Sequence, residues 1–180
     1  MLKRGNSNLS DFSFHSILSG SRGASKLNNS FAGGLLLPEK DIWSIFADMA
    51  RSVQHVHDKG FIHMDIKPSN FFVTKNRTVK LGDFGKAIRA DCVDQLIESD
   101  FEGDVIYMAP ELLRKEFSQK VDIFSLGATL LEIASSLNLP QNGLLWIKLR
   151  EGCHIRFSPS AKRTEQLEVL INWMMQPDPA

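Results

Sequence analysis

Cysteine is scarce: Cys92 and Cys153 are the only two in 180 residues. They make no disulfide framework and no Cys-x-x-Cys metal spacing, which excludes a small disulfide scaffold and favours a reducing, intracellular compartment. Neither thiol has a base or a helix start beside it, so both read as ordinary rather than catalytic. Net charge is lacking too, because 21 Lys and Arg cancel 21 Asp and Glu. A balanced chain gives no electrostatic argument for nucleic acid or an anionic membrane, and neither is expected as a partner. Long apolar runs are also missing. None approaches the roughly 18 residues of a membrane span, and Glu132 interrupts the most hydrophobic region. After Lys3 and Arg4 the chain continues Asn6-Ser7-Asn8, where a signal peptide needs an apolar stretch. A soluble chain is expected. The 43% of apolar residues is an ordinary globular figure, and a chain of this length buries about 70% of the surface its unfolded form exposes.

Organisation changes near residue 38. Ser, Asn and Gly fill 17 of the first 37 positions, which reads as a loop or insertion. One short helix is plausible inside it, capped by Ser7 or Asn8, with Leu9, Phe12, Phe14 and Ile17 on its apolar side. From Pro38 onward Ile42, Ile45, Phe46, Met49, Ala50, Val53 and Val56 recur at steps of three and four, which predicts a helix over 38–59. Pro38 suits its first position, Glu39 and Asp41 its positive end, and Lys59-Gly60 its stop. His55 and His57 lie one step off the apolar face and read as structural or exposed. Strand-like pieces follow at 61–63, 71–74 and 78–81, the last two forming a hairpin turned at Asn76. Residues 121–134 are apolar around the whole circumference, so they form a helix buried on all sides. A last helix over 164–176 places Leu167, Leu170, Ile171 and Met174 on one face, with Met174 and Met175 as core filler.

The chemistry is concentrated in His63-Met64-Asp65-Ile66-Lys67-Pro68-Ser69-Asn70, followed by Asp83-Phe84-Gly85 and then Ala109-Pro110-Glu111. Five fixed residue types at the spacing of the first stretch arise by chance about once in 10⁴ chains of this length, and two further motifs in order remove chance as an explanation. The set resembles the catalytic loop, magnesium loop and activation-segment end of protein kinases. The resemblance implies that Asp65 accepts the proton of the substrate hydroxyl and that Lys67 places a positive charge at the transferred phosphoryl group. It also implies that Asn70 and Asp83 hold the Mg²⁺ that bridges the phosphates of ATP. His63 and Phe84 would be supports.

Three features narrow the resemblance: Met64 before the catalytic Asp, where most kinases carry Arg; Glu102-Gly103-Asp104 before Tyr107; and Asp122-Ile123-Phe124-Ser125-Leu126-Gly127 leading to Leu139-Pro140-Gln141-Asn142-Gly143, Trp146 and Leu149-Arg150-Glu151-Gly152. Over residues 38–179 the chain is similar to the Wee/Myt kinases, which inhibit cyclin-dependent kinases and delay mitosis. That implies a cyclin-dependent kinase as protein partner, Tyr or Thr as acceptor, and a nuclear or cytoplasmic location. Because Met64 cannot pair with a phosphate, activity should not depend on phosphorylation between Lys86 and Met108.

Only 62 residues precede His63, and they contain no Gly-rich loop, no strand lysine and no helix glutamate to hold it. The expected fold is therefore mainly α: a protein-kinase C-terminal lobe with small β-hairpins over 38–180, truncated at both ends, after a hinge-side segment at 1–37, with the N-terminal lobe missing. In kinases the Glu of Ala-Pro-Glu pairs with an Arg just beyond a stretch like Gln176-Pro177-Asp178-Pro179. Losing one member of a buried pair costs about 3–5 kcal/mol, so marginal stability is expected. Two alternatives stay open, a catalytically silent binding lobe and a Ser/Thr kinase outside the Wee group.

Overall fold

A computed structural model of the chain describes residues 37–74, 76–93 and 103–178; the short helix expected within residues 7–17 lies outside them. Helix α1, Glu39–Asp58, matches the expected 38–59 within a residue at each end. Pro38 stands just before the helix rather than inside it, and its carbonyl accepts the Asp41 and Ile42 amides at 2.9 and 3.2 Å. Glu39 and Asp41 occupy the first turn, where the helix dipole favours negative charge. Ile42, Met49, Val53 and Val56 form the buried face. Gly60 ends the helix at φ 77° with its amide on the His57 carbonyl at 2.9 Å, a left-handed stop that a residue without Cβ adopts at no steric cost.

Four short strands follow. β1 (Phe61–Ile62) pairs antiparallel with β4 (Ile88–Arg89), and β2 (Phe71–Val73) pairs with β3 (Val79–Leu81), with Phe72 opposite Lys80. The β2–β3 hairpin is the one expected; β4 is too short to leave a periodic signal. The hairpin is fastened to α1 by Asp48, whose Oδ2 accepts the Val79 amide at 2.9 Å.

Helix α2, Lys120–Ser135, runs through the core and is buried nearly all round. At Gly127 an added Cβ would sit 2.8 Å from Met175 Cγ and 2.9 Å from Met174 Cβ, so the last helix lies against α2 as closely as a glycine allows. Helix α3 (Gly143–Arg150) and helix α4 (Glu165–Met174) complete the described fold. Leu167, Ile171, Met174 and Met175 are buried against α2 and Leu170 is half-buried, as the periodicity predicts. The start of α4 is tied to α1 by the Thr164 amide, which donates to Glu39 Oε2 at 2.8 Å. Both cysteines are free, and burial is the main cause that pushes the Cys153 thiol up. Among the described residues no helix is long and apolar enough to cross a membrane.

Candidate active site

The catalytic loop is built on one buried carboxylate that the motif does not contain. Asp122, in the first turn of α2 and 1% exposed, accepts the His63 amide at Oδ2 (2.7 Å) and the Met64 amide at Oδ1 (2.9 Å). His57 Nε2 lies 2.8 Å from the same Oδ2, which makes this histidine structural, as expected. Met64 is held at φ 65°, a left-handed conformation that a side chain rarely adopts and that persists where its surroundings impose it. Met64 itself is buried in the core. Gln119, one residue before α2, adds a donor to the His57 carbonyl at 2.8 Å.

From that anchor the loop presents its polar groups. Lys67 is fully extended, at φ −161°, as the residue before a proline prefers, and Pro68 opens a single 3₁₀ turn over Pro68–Asn70. The turn directs the buried Asn70 amide back onto Asp65, donating to its carbonyl at 2.8 Å and to Oδ2 at 3.0 Å. Lys67 Nζ approaches the same Oδ2 at 3.1 Å, and Lys86 Nζ lies 3.4 Å from Oδ1. Burial alone would push the Asp65 carboxyl up. Hydrogen bonds from Lys67 and Asn70, with the charges of Lys67 and Lys86, outweigh it and hold the pKa below the usual carboxylate range. Desolvation likewise works against the Lys67 ammonium, but its bond to Asp65 and the charges of Asp65 and Asp104 keep it above the ordinary lysine value. Asp65 is thus an anion and Lys67 a cation throughout the neutral range.

Asp83 belongs to the same neighbourhood through the backbone. The Gly82 amide donates to the Asn70 carbonyl at 2.9 Å, and His63 Nε2 meets the Gly82 carbonyl at 3.1 Å. Because that partner is a carbonyl, Nε2 carries the proton. Burial is the largest cause holding the His63 pKa down, so the ring is neutral at pH 7. Its Nδ1 is buried with no hydrogen-bond partner among the described residues. Phe84 packs edge-on against His63 with ring centroids 5.0 Å apart, yet remains 53% exposed. Asp83 sits in a left-handed turn at φ 59° with its carboxylate exposed, one oxygen 3.4 Å from the Gly85 amide.

The donor set suits a hard divalent cation. Asn70 spends its NH₂ on Asp65, which turns the amide so that its carbonyl oxygen is the end left for a ligand, and Asp83 offers exposed carboxylate oxygens. Among the described residues no group of three or more His, Cys, Asp or Glu is placed to hold a metal. Two protein oxygens completed by water and phosphate are what Mg²⁺ ordinarily takes.

Asp65, Lys67 and Asn70 therefore form one cluster, and Asp83 adjoins it. Sequence reasoning gave no role to Asp122, whose signal was a carboxylate in the first turn of a mostly apolar helix, or to Lys86, which follows the Asp-Phe-Gly turn. It also left Asp104 without a role; Asp104 Oδ2 lies 3.4 Å from Lys67 Nζ.

Fold and site together define a phosphotransferase lobe of the eukaryotic kinase type. The protein kinase domain model matches residues 13–180, and the chain belongs to that family. Within the family its likeness is to Wee-type enzymes. It is 43% identical over 144 residues to a membrane-associated tyrosine- and threonine-specific cdc2-inhibitory kinase of Caenorhabditis briggsae, covering 79% of this chain and 22% of that protein. It is 34% identical over 165 residues to the mitosis inhibitor protein kinase wee1 of Schizosaccharomyces pombe, covering 79% of this chain and 18% of that protein. A probable protein kinase of Dictyostelium discoideum is 47% identical over 148 residues, which cover 81% of this chain and 40% of that protein. The chain thus spans less than half the length of these relatives.

Proposed function

We propose that the protein transfers the γ-phosphoryl group of ATP to a Tyr or Thr hydroxyl of a cyclin-dependent kinase, in the manner of the Wee group, and so restrains entry into mitosis. The observation that carries this reading is the state of Asp65: an ionised carboxylate, 7% exposed, oriented by Asn70 and flanked by two lysines. Asp65 accepts the proton of the acceptor hydroxyl as that oxygen attacks the γ-phosphorus and the bond to ADP breaks. For the hydroxyl to reach Oδ1, the partly exposed Lys86 moves aside. Lys67 stays on Oδ2 and holds positive charge beside the transferring group, which is where phosphoryl transfer needs it. Asn70 and Asp83 would hold Mg²⁺, which when bound neutralises the phosphates. An intracellular location, nuclear or cytoplasmic, goes with this reading, as does the division into a Ser/Asn/Gly-rich segment at 1–37 and a lobe at 38–180.

The test is transfer of radiolabelled γ-phosphate from Mg·ATP to a purified cyclin-dependent kinase–cyclin complex, with mass spectrometry of the labelled residue. Asp65→Asn is expected to lower kcat by about 10²–10⁴-fold, the usual worth of a general base. Labelling that survives Asp65→Asn overturns the assignment. Tight partner binding with no transfer and no Mg·ATP affinity favours the silent lobe, and label on an unrelated serine peptide alone favours a general Ser/Thr kinase.

A further inference from the structure

Lys67 is shared by two carboxylates, and the second belongs to a turn that the catalytic loop does not hold. In that turn the Tyr107 and Met108 amides both donate to the Asp104 carbonyl at 3.1 Å, and the Ile106 amide donates to Asp104 Oδ1 at 3.2 Å. Helix α3 grips the outside of it. Arg150 Nη2 donates to the Val105 carbonyl at 2.8 Å and to the Ile106 carbonyl at 3.0 Å. Trp146 Nε1 donates to the same Val105 oxygen at 2.8 Å. The guanidinium also bonds the Trp146 carbonyl at 3.2 Å and lies 3.9 Å from the centre of the indole ring.

Arg150 is 6% exposed, and among the described residues no carboxylate pairs with it. Burial draws its pKa down to about 10, so it remains charged. A desolvated cation without a counter-ion is costly unless dipoles replace its water. Here backbone carbonyls do so: Nη2 serves the two carbonyls of the turn while Nη1 serves the Trp146 carbonyl of α3, so the planar fork ties turn to helix with two nitrogens at once, which the single nitrogen of an ammonium cannot reproduce. That turn carries Asp104.

We propose that Arg150 and Trp146 are positioning residues for phosphoryl transfer: through the Val105 and Ile106 carbonyls they set the Asp104 carboxylate against Lys67 and so fix the direction of its ammonium. The proposal rests on the kinase reading for its consequence, and on the α3 grip alone for its geometry. Helix α3 thereby becomes a second support of the catalytic cluster, independent of Asp122.

Two readouts on the full chain separate the proposal from that reading. In the nitrogen-15 spectrum of lysine side chains, the Lys67 ammonium gives a persistent signal while it is bonded to both carboxylates. That signal should be lost in Asp104→Asn, Arg150→Met and Arg150→Lys, weakened in Trp146→Phe, and kept in Lys148→Ala, which breaks only the exposed Lys148–Glu151 pair. In the transfer assay Arg150→Met should lower kcat about tenfold with the KM for ATP within about twofold, and adding Asp104→Asn should lower it no further. A Lys67 signal that persists in Arg150→Met, or that is absent from the unaltered protein, overturns the proposal, as do additive losses in the double variant. If Arg150→Met does not fold, Trp146→Phe, which keeps an aromatic ring and removes the donor, decides by the same signal. If the unaltered protein transfers no phosphate, the kinase reading fails and the ammonium signal still decides the positioning claim.

Discussion

Two of the carboxylates buried in the lobe, Asp122 behind the catalytic loop and Glu111 in the Ala-Pro-Glu turn, are treated in opposite ways. Asp122, 1% exposed, receives two backbone amides within 2.9 Å and lies 2.8 Å from His57. Glu111, 3% exposed at the end of the activation segment, has both oxygens buried without a hydrogen-bond partner among the described residues. Burial pushes the Glu111 carboxyl up, against the weaker pull of its own backbone and of Arg114. A carboxylate inside a protein stays ionised where fixed donors replace its water, and takes up a proton where they do not. The catalytic loop is built around a carboxylate whose water is replaced by fixed donors, and the carboxyl at the end of the activation segment is one that burial pushes up.

Asp122→Asn tests the first half of this contrast and should have the largest effect on stability. An amide has one acceptor end, so its NH₂ must face the His63 or Met64 amide, and a loss of about 3 kcal/mol is expected from urea midpoints. Loss of the left-handed turn at Met64 would carry transfer activity down with it.

Glu111→Gln should act in the other direction. Because burial raises the folded pKa of Glu111, its contribution to stability is fully present below the unfolded value of about 4.3 and is lost as pH rises through the folded value. Gln does not ionise. The variant should therefore match the unaltered protein near pH 4 and exceed it in stability at pH 7.5; a destabilised variant at pH 7.5 breaks the contrast. The smallest effect concerns the segment that leads up to Glu111. Met64 gives a phosphate no partner, so phosphorylation of Ser99 should change the transfer rate by less than about twofold.

What could be read from the sequence follows the range of the interactions. Helices α1, α2 and α4 were legible because their apolar spacing is local, and the β2–β3 hairpin because its turn is. Asp65, Lys67 and Asn70 were legible through the resemblance of their stretch to a kinase catalytic loop, and the Asn70-to-Asp65 bonds close over only five positions. Helix α3 was not read as a helix: it is eight residues long, and its glycine start and indole obscure the period. Strand β4 has two residues and is defined only by β1, which lies 27 positions before it. The partners of the site were hidden for the same reason. Asp122 is 59 positions from His63 and Arg150 is 45 from Val105, and nothing in a local pattern reveals which backbone groups a buried charge will meet. Asp122 and Arg150 had one shared signal, a charge in a mostly apolar helix.

Residue-resolved hydrogen exchange of the His63 and Met64 amides tests most directly whether Asp122 organises the catalytic loop. Both amides should exchange as slowly as those in the middle of α2, and Asp122→Asn should abolish that protection while Glu111→Gln leaves it intact. Exchange of either amide in the unaltered protein at the rate of an exposed turn, such as that around Arg77, would contradict it.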